Sequence, residues 1–346
     1  MKALVYQGPN ELEYTDYPDP KPGPKDVLLR VRVVGICGSD VHGYMGITGR
    51  RIPPMIMGHE ISGDIVAVGD SVTKFKVGDR VAIDPIICCN ECDFCLSGNT
   101  NICKNRRVIG VSMQDETING AMAEYIAAPE HVAIEIPDDL SYEQGALVDP
   151  LAVAVHGVRM AGDLNGKKVA VLGAGQIGLF AMQACKAFGA EIVTAIDLID
   201  DRLSLAKELG ADEVLNAKNL AKKNEDFKQS CQAAGGFDAV IEAVGVEATV
   251  QQAIYLAKSG GTVVLMGLGQ KDVSIDAHHV VENEITLRGT YIFVEKDGAD
   301  AIKLLQEGSV SIDKMVDCIE PLEKGPDLFK TLAREDGSLF KVLMKP

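Results

Sequence analysis

The chain has 346 residues, 47% of them hydrophobic, and a formal charge of −16 from 34 basic and 50 acidic side chains. That is enough apolar material for two cores and too much for a disordered chain. An acidic surface repels phosphate at long range, so neither nucleic acid nor an anionic membrane is an expected partner. No cationic and apolar leader opens the sequence and no long uncharged apolar run interrupts it, so the expected location is the cytoplasm. In that reducing compartment nine cysteines do not suggest a disulfide framework, and five of them crowd into residues 88–103.

Residues 1–34 read as β structure. Four prolines and a glycine within 16–25 mark a loop, after which Val27, Leu29, Val31 and Val33 alternate with Arg30 and Arg32 as a half-buried strand does. That strand delivers Gly35-Ile36-Cys37-Gly38-Ser39-Asp40-Val41-His42, followed by a loop and Gly58-His59-Glu60. A thiolate, an imidazole and a carboxylate lie within a short reach of chain, and Cys37 and His59 are spaced to fold back onto one divalent ion. A soft sulfur with a borderline nitrogen favours zinc. Read alone, the pair fits equally a buried thiol and a core histidine. Short apolar runs at 63–68 and 80–83, bounded by Gly and Asp, add strands to what reads as an all-β platform, a small barrel or sandwich.

Cys89, Cys92, Cys95 and Cys103 follow in the pattern C-x2-C-x2-C-x7-C on a polar loop. Four thiolates on a segment too polar to bury itself predict a closed, tetrahedral, structural zinc site. Cys88 is left over, and Cys185, Cys231 and Cys318 read as small core residues. Residues 143–156 read as one helix containing Asp149 among apolar neighbours, an acid that needs water or a nearby cation such as a metal.

From 167 the pattern changes to alternating apolar strands and helices. The strand 168–172 runs into Gly173-Ala174-Gly175-Gln176-Ile177-Gly178, a helix reaches about 188, and the strand 192–196 ends in Asp197. This is G-x-G-x-x-G after a strand and before a helix, with an acid at the next strand end. Glycines make the turn and let the backbone approach a pyrophosphate, and the helix start offers free N–H groups to it. Gly173, Gly175, Gln176, Ile177 and Gly178 are the expected phosphate turn. Asp197, suited to ribose hydroxyls, favours NAD, with Arg202 nearby as a group that could accept a 2′-phosphate. Segments at 239–244, 249–257, 262–266 and 285–287 complete a parallel, doubly wound sheet.

Two zinc signals and a dinucleotide turn together carry a resemblance. The sequence resembles the zinc-dependent medium-chain alcohol dehydrogenases end to end, through residues 35–42, 58–60, the cysteine lobe, Val148-Asp149-Pro150-Leu151-Ala152-Val153-Ala154-Val155-His156-Gly157 and the glycine turn, and is most similar to the polyol branch. The resemblance implies a GroES-like catalytic β-barrel at 1–150 with the structural-zinc lobe at 88–104. It also implies an inserted NAD-binding Rossmann domain at 151–288, and a return to the first domain at 289–346. It implies Cys37 and His59 as ligands of a catalytic zinc, with Glu60 as third ligand or as an acid that swings in, and Asp149 at another position beside the metal. A zinc-bound alkoxide would give a hydride to NAD, Ser39 taking the proton and His42 passing it to the surface. A homo-dimer or homo-tetramer is implied as well.

The substrate side departs from sorbitol dehydrogenases. Gly43 stands where they carry an aromatic residue, and Ile292-Phe293 where they carry an Arg-Tyr pair. Gly49-Arg50-Arg51 offers either a solvated loop or an anion clamp, Glu295 could hold hydroxyls or an amine, and His278-His279 reads as surface. The leading expectation is oxidation of a secondary alcohol of a polyol or sugar derivative to a ketone. The alternatives are a sugar phosphate, an amino-cyclitol or L-threonine by the same chemistry, or a non-catalytic zinc- and NAD-binding protein.

Overall fold

The structure is a computed structural model and describes residues 1–113, 116–219, 235–334 and 339–346. These divide into two compact units: Met1–Asp149 with Val294–Ile302 and Ile312–Pro346, and Pro150–Phe293 with Lys303–Ser311.

In the first unit the strand Asp26–Gly35 organises a seven-stranded sheet. Val27, Leu29, Val31 and Val33 are buried while Arg30 and Arg32 are exposed, as the alternation predicts. Each such side chain taken out of water contributes about 1.5–3 kcal/mol. On one side the strand pairs antiparallel with Glu60–Val68, setting Gly35 opposite Glu60. On the other, Tyr125–Pro129 covers its first half and Val342–Lys345 its end, where Leu343 faces Gly35. This register draws residues 35–37, 59–60 and 341 together from three distant stretches of sequence. Arg80–Ile83, Ala133–Glu135 and Cys318–Pro321 complete the sheet. A second, three-stranded sheet joins Glu11–Asp16, Lys2–Gly8 and Met55–Ile56, and Leu4, Tyr6, Met55, Ile61 and Phe329 share the core.

The second unit is a six-stranded, all-parallel sheet. Its strands lie in the order Glu213–Asn216, Ile192–Asp197, Lys168–Leu172, Phe237–Glu242, Ala257–Leu265, Thr286–Gly289. Val169 to Leu172 are all buried, the continuous apolar run that a strand covered on both faces requires. The order reverses beside Lys168–Leu172, the strand that leads into the glycine turn, and ligands of doubly wound sheets bind at such a switch point.

Three local readings change. The segment 143–156 is two helices, Tyr142–Ala146 and Val148–Met160. Ser141 and Gln144 cap the first reciprocally, and Pro150, which lacks an N–H, is accommodated in the first turn of the second. The last long strand begins at Ala257 rather than 262, directly after the helix Glu247–Leu256. His279, expected at the surface, is 2% exposed, packed edge-on against Tyr255 and bonded through Nδ1 to Asn283 at 3.2 Å. No helix among the described residues is long and apolar enough to cross a membrane.

Candidate metal centres and dinucleotide site

The cysteine lobe is held by very short elements. Cys92 caps the four-residue helix Asp93–Leu96, which carries Cys95, and the turn Thr100–Ile102 returns Cys103 to the cluster. The Sγ atoms of Cys89, Cys92, Cys95 and Cys103 lie within 4.8 Å of one another. Their contacts measure 3.5 Å for Cys89–Cys103, 3.6 Å for Cys92–Cys95 and 3.9 Å for both Cys92–Cys103 and Cys89–Cys95. A zinc tetrahedron with Zn–S of ~2.3 Å has sulfur–sulfur edges of ~3.8 Å, so the four sulfurs already have the shape of the ion's shell. The N–H groups of Cys95 and Lys104 at its sulfur bring Cys92 down to about 6, while burial pushes Cys95 well up. Cys88, the leftover thiol, turns instead to the side-chain oxygen of Asn90 at 3.1 Å. Cys185 is buried as expected, Cys318 is half-buried on a strand, and Cys231 lies outside the described residues.

The second set is built differently. Cys37 is the N-cap of the helix Gly38–Tyr44 and is half-buried, and His59 directly precedes the strand Glu60–Val68. Asp40, fully buried, accepts the amide of Cys37 at 3.2 Å through Oδ2 and sets Oδ1 3.5 Å from Nδ1 of His59. Nδ1 is itself buried without a hydrogen-bond partner. With that nitrogen turned to a carboxylate, Nε2 is the one left for a metal, the arrangement by which carboxylates orient metal-binding imidazoles. Burial alone would lower the His59 pKa, but the neighbouring Asp40 and Cys37 raise it well above its ordinary value. The same His59, with Arg51, overrides burial at Asp40 and holds that carboxyl far below the carboxylate range. A sulfur and a nitrogen donor, with a carboxylate against the imidazole, have the donor chemistry that suits a zinc ion.

The two acids differ. Glu60 is 1% exposed and paired with Lys341, whose ammonium also donates to the carbonyl of Ile36 at 3.0 Å. Asp149, on the first turn of Val148–Met160, is 8% exposed, and burial pushes its carboxyl up to about 7, with His59 opposing and Glu60 adding to the rise. Cys37, His59, Glu60 and Asp149 do not converge as the four cysteines do. Among the described residues, only the cysteines form a group of three or more with every ligand atom within 4.8 Å of the others. Glu60, expected as a third ligand or as an acid that swings in, is paired with an ammonium group that no sequence pattern announces.

Ser39 and His42 are both exposed on Gly38–Tyr44, three residues apart and therefore on one face. Arg51, expected in a solvated loop or an anion clamp, is neither. It is buried, and its Nη2 donates to Asp40 at 2.8 Å. Arg50 beside it is exposed.

In the second unit, Gly173 ends the strand at φ +93°, and the helix Gln176–Ala187 starts after Gly175. A Cβ on Gly178 would lie 1.7 Å from the carbonyl of Gly173, so the helix packs on the turn only because no side chain intervenes. A Cβ on Gly175 would meet nothing within 4 Å, which leaves that face open to a ligand. Nε2 of Gln176 is a buried donor without a partner, Ile177 is half-buried, and Asp197 braces the turn by accepting Ala174 N–H at 2.7 Å and Ile199 N–H at 2.9 Å. Arg202 is half-buried on the helix Asp200–Glu208. An open helix start with an orphaned donor and an acid at the next strand end fits a dinucleotide pyrophosphate and ribose.

Residues 23–138 match the alcohol dehydrogenase GroES-like domain, and residues 177–307 match the zinc-binding dehydrogenase domain. The chain is 38% identical to sorbitol dehydrogenase of Ovis aries over 350 residues, covering 99% of this chain and 96% of the relative. It belongs to the zinc-dependent medium-chain alcohol dehydrogenase family. Among solved structures, a putative zinc-binding dehydrogenase from Sinorhizobium meliloti 1021 bound to NADP has a TM-score of 0.91 at 33% identity, with 100% of this chain and 99% of that one covered. Galactitol-1-phosphate dehydrogenase from Escherichia coli has a TM-score of 0.91 at 28% identity, with full coverage of both chains. As a member of this family the chain is an NAD-dependent zinc dehydrogenase, and the cysteine lobe is a cluster that could hold a structural zinc.

This dehydrogenase also has a cavity of about 310 Å³ in its first unit, lined by Lys74, Asp84, His131, Glu135, Glu295 and Ile302 among others. Burial pushes Asp84 up to about 8, with Asp149 and Glu295 adding to the rise, and burial lowers His131. Glu295, considered as a substrate-holding group, lies on this wall, and Phe293 is fully buried. Sequence spacing gave no sign of Asp84, whose partners come from three separate segments.

Proposed function

We propose that the enzyme oxidises a secondary alcohol of a neutral polyol or sugar derivative to a ketone, with Cys37, His59 and Asp149 holding the catalytic zinc. The observation that carries this reading is the Cys37–Asp40–His59 cluster, in a chain similar over nearly its whole length to a sorbitol dehydrogenase. When bound, zinc supplies Lewis acidity toward the substrate hydroxyl and NAD supplies the hydride acceptor.

Asp40 orients His59 from behind. Asp149 is preferred over Glu60 as the third ligand because its buried carboxyl group forms no ion pair among the described residues, whereas Glu60 is engaged by Lys341. Ser39 takes the hydroxyl proton, and His42, on the same exposed helix face, passes it to water. Gly173, Gly175, Gln176, Ile177 and Gly178 hold the pyrophosphate, and Asp197 the ribose, which disfavours a 2′-phosphate. The neutral substrate is supported by the loss of the anion clamp, since Arg51 is paired with Asp40 and only Arg50 remains exposed. The eight described cysteines are free, which supports a reducing compartment, the cytoplasm. We also read the enzyme as a homo-dimer or homo-tetramer, testable by light scattering.

NADH formation from polyols, their phosphates, amino-cyclitols and threonine tests the reading. Neutral polyols turn over and Arg50→Ala leaves their rates unchanged, whereas Asp149→Asn loses activity by more than the roughly 10–100-fold that loss of a partner behind a metal ligand costs. Turnover confined to phosphorylated substrates, and lost in Arg50→Ala, contradicts it.

A further inference from the structure

Three features of Arg51 belong together. Its side chain is 3% exposed, and a guanidinium is buried at such depth only against a partner. That partner is Oδ1 of Asp40 at 2.8 Å, while Nη1 donates to the carbonyl of Arg50 at 3.2 Å. The same Oδ1 lies 3.5 Å from Nδ1 of His59, and the other oxygen accepts the amide of Cys37, so one carboxylate touches the guanidinium, the imidazole and the cysteine backbone. Finally, Gly43 lies within the helix Gly38–Tyr44, where glycine weakens the helix. A Cβ there would lie 2.5 Å from Cγ of Arg51 and 3.3 Å from its Nε. The missing side chain at 43 is the path along which Arg51 reaches Asp40.

We propose that Arg51 is a positioning residue for the catalytic zinc: through Asp40 it fixes the ring of His59, and Gly43 is glycine to let it do so. The proposal rests on the reading of His59 and Cys37 as zinc ligands. A carboxylate orients a metal-binding imidazole only as well as the carboxylate is itself held, and partners in that outer layer typically alter metal affinity 10–100-fold. The planar guanidinium, tied at Nη1 to the carbonyl of Arg50, holds through Nη2 the same oxygen of Asp40 that faces His59, which a flexible ammonium does less well. The glycine in place of an aromatic residue at 43 is thereby accounted for by a contact inside the protein.

The test follows zinc release from the full chain to a chromogenic chelator, with total zinc counted per chain. In Arg51→Met, and independently in Gly43→Ala, which keeps the guanidinium but blocks its path, zinc leaves the His59 site about 10–100-fold faster. Release from the four cysteines is unchanged, and Arg51→Lys falls between wild type and Arg51→Met. NAD binding and thermal melting report folding, and if Arg51→Met does not fold, Gly43→Ala decides. His59→Ala separates the two levels of the argument. If it retains both zinc ions, the ligand reading fails and the proposal with it. If it loses one while Gly43→Ala and any folded Arg51→Met release zinc at the wild-type rate, the ligands stand and the role of Arg51 is overturned.

Discussion

The cysteine lobe and the proposed Cys37–His59 site lie in the same unit and are both read as zinc sites, yet they are assembled by opposite means. In the lobe four identical donors within fifteen residues take up tetrahedral spacing by themselves, with edges of 3.5 to 3.9 Å. At Cys37 and His59 the donors differ and come from separate elements, and their placement depends on a surrounding layer of buried charge: Asp40, Arg51, Glu60 and Lys341. A closed site needs only its ligands. A site that must leave a position open for substrate cannot let its ligands close around the metal, so other residues have to hold them apart.

The largest effect expected from that contrast is on the lobe. Cys103→Ser, at a fully buried sulfur, leaves three ligands and no hydrophobic core to replace the fourth, so zinc is lost and the lobe opens. Loss of one zinc per chain, with a marked fall in melting temperature and new proteolytic cleavage near residues 88–104, checks this. An unchanged melting temperature would mean that the lobe folds without its metal.

The surrounding layer of the other site is tested next. Lys341→Met strands a buried carboxylate at Glu60 and costs about 3–5 kcal/mol of stability, most of which returns in the double variant with Glu60→Gln. Denaturant midpoints of the four proteins of this cycle measure it, and additive losses would show that the two residues do not act as a pair.

These two variants also divide what the sequence made legible from what it hid. The cysteine spacing, the glycine turn after its strand and the alternation of Val27, Leu29, Val31 and Val33 are local patterns, and each reports its own environment. Lys341 meets Glu60 across 281 residues, through two strands that both pair with Asp26–Gly35, and nothing near either residue announces the other. Arg51 reads as loop because its neighbours are loop-like, and its burial depends on a glycine eight residues earlier. His279 reads as surface because the sequence offers it no partner, and it is buried against Tyr255 from another helix while Asn283, the C-cap of its own helix, bonds its ring. The helix at 143–156 divides because a capping box and a proline each start a helix, a signal present in the sequence but overlooked there.

A smaller effect is expected at Asp84, in the cavity of the first unit. Its carboxyl is raised from 3.8 to about 8, mainly by burial. The folded state therefore favours the protonated form, and the stabilisation is complete below about pH 4, declines as pH rises, and is gone above about pH 8. Asp84→Asn removes this dependence while keeping an acceptor for the amide of Ile86, which Asp84 now holds at 2.9 Å. Against this variant the wild type loses on the order of a few kcal/mol between those limits. Parallel stability curves across that range would place the ionisation of Asp84 elsewhere.

The most direct test of the whole account is Cys37→Ser, assayed for zinc content, NAD binding and NADH formation from a neutral polyol that the wild type oxidises. The account predicts two zinc ions per chain in the wild type and one in the variant, unchanged NAD binding, and loss of turnover by at least about 10³-fold. Full turnover by the variant, or retention of both zinc ions, would contradict it.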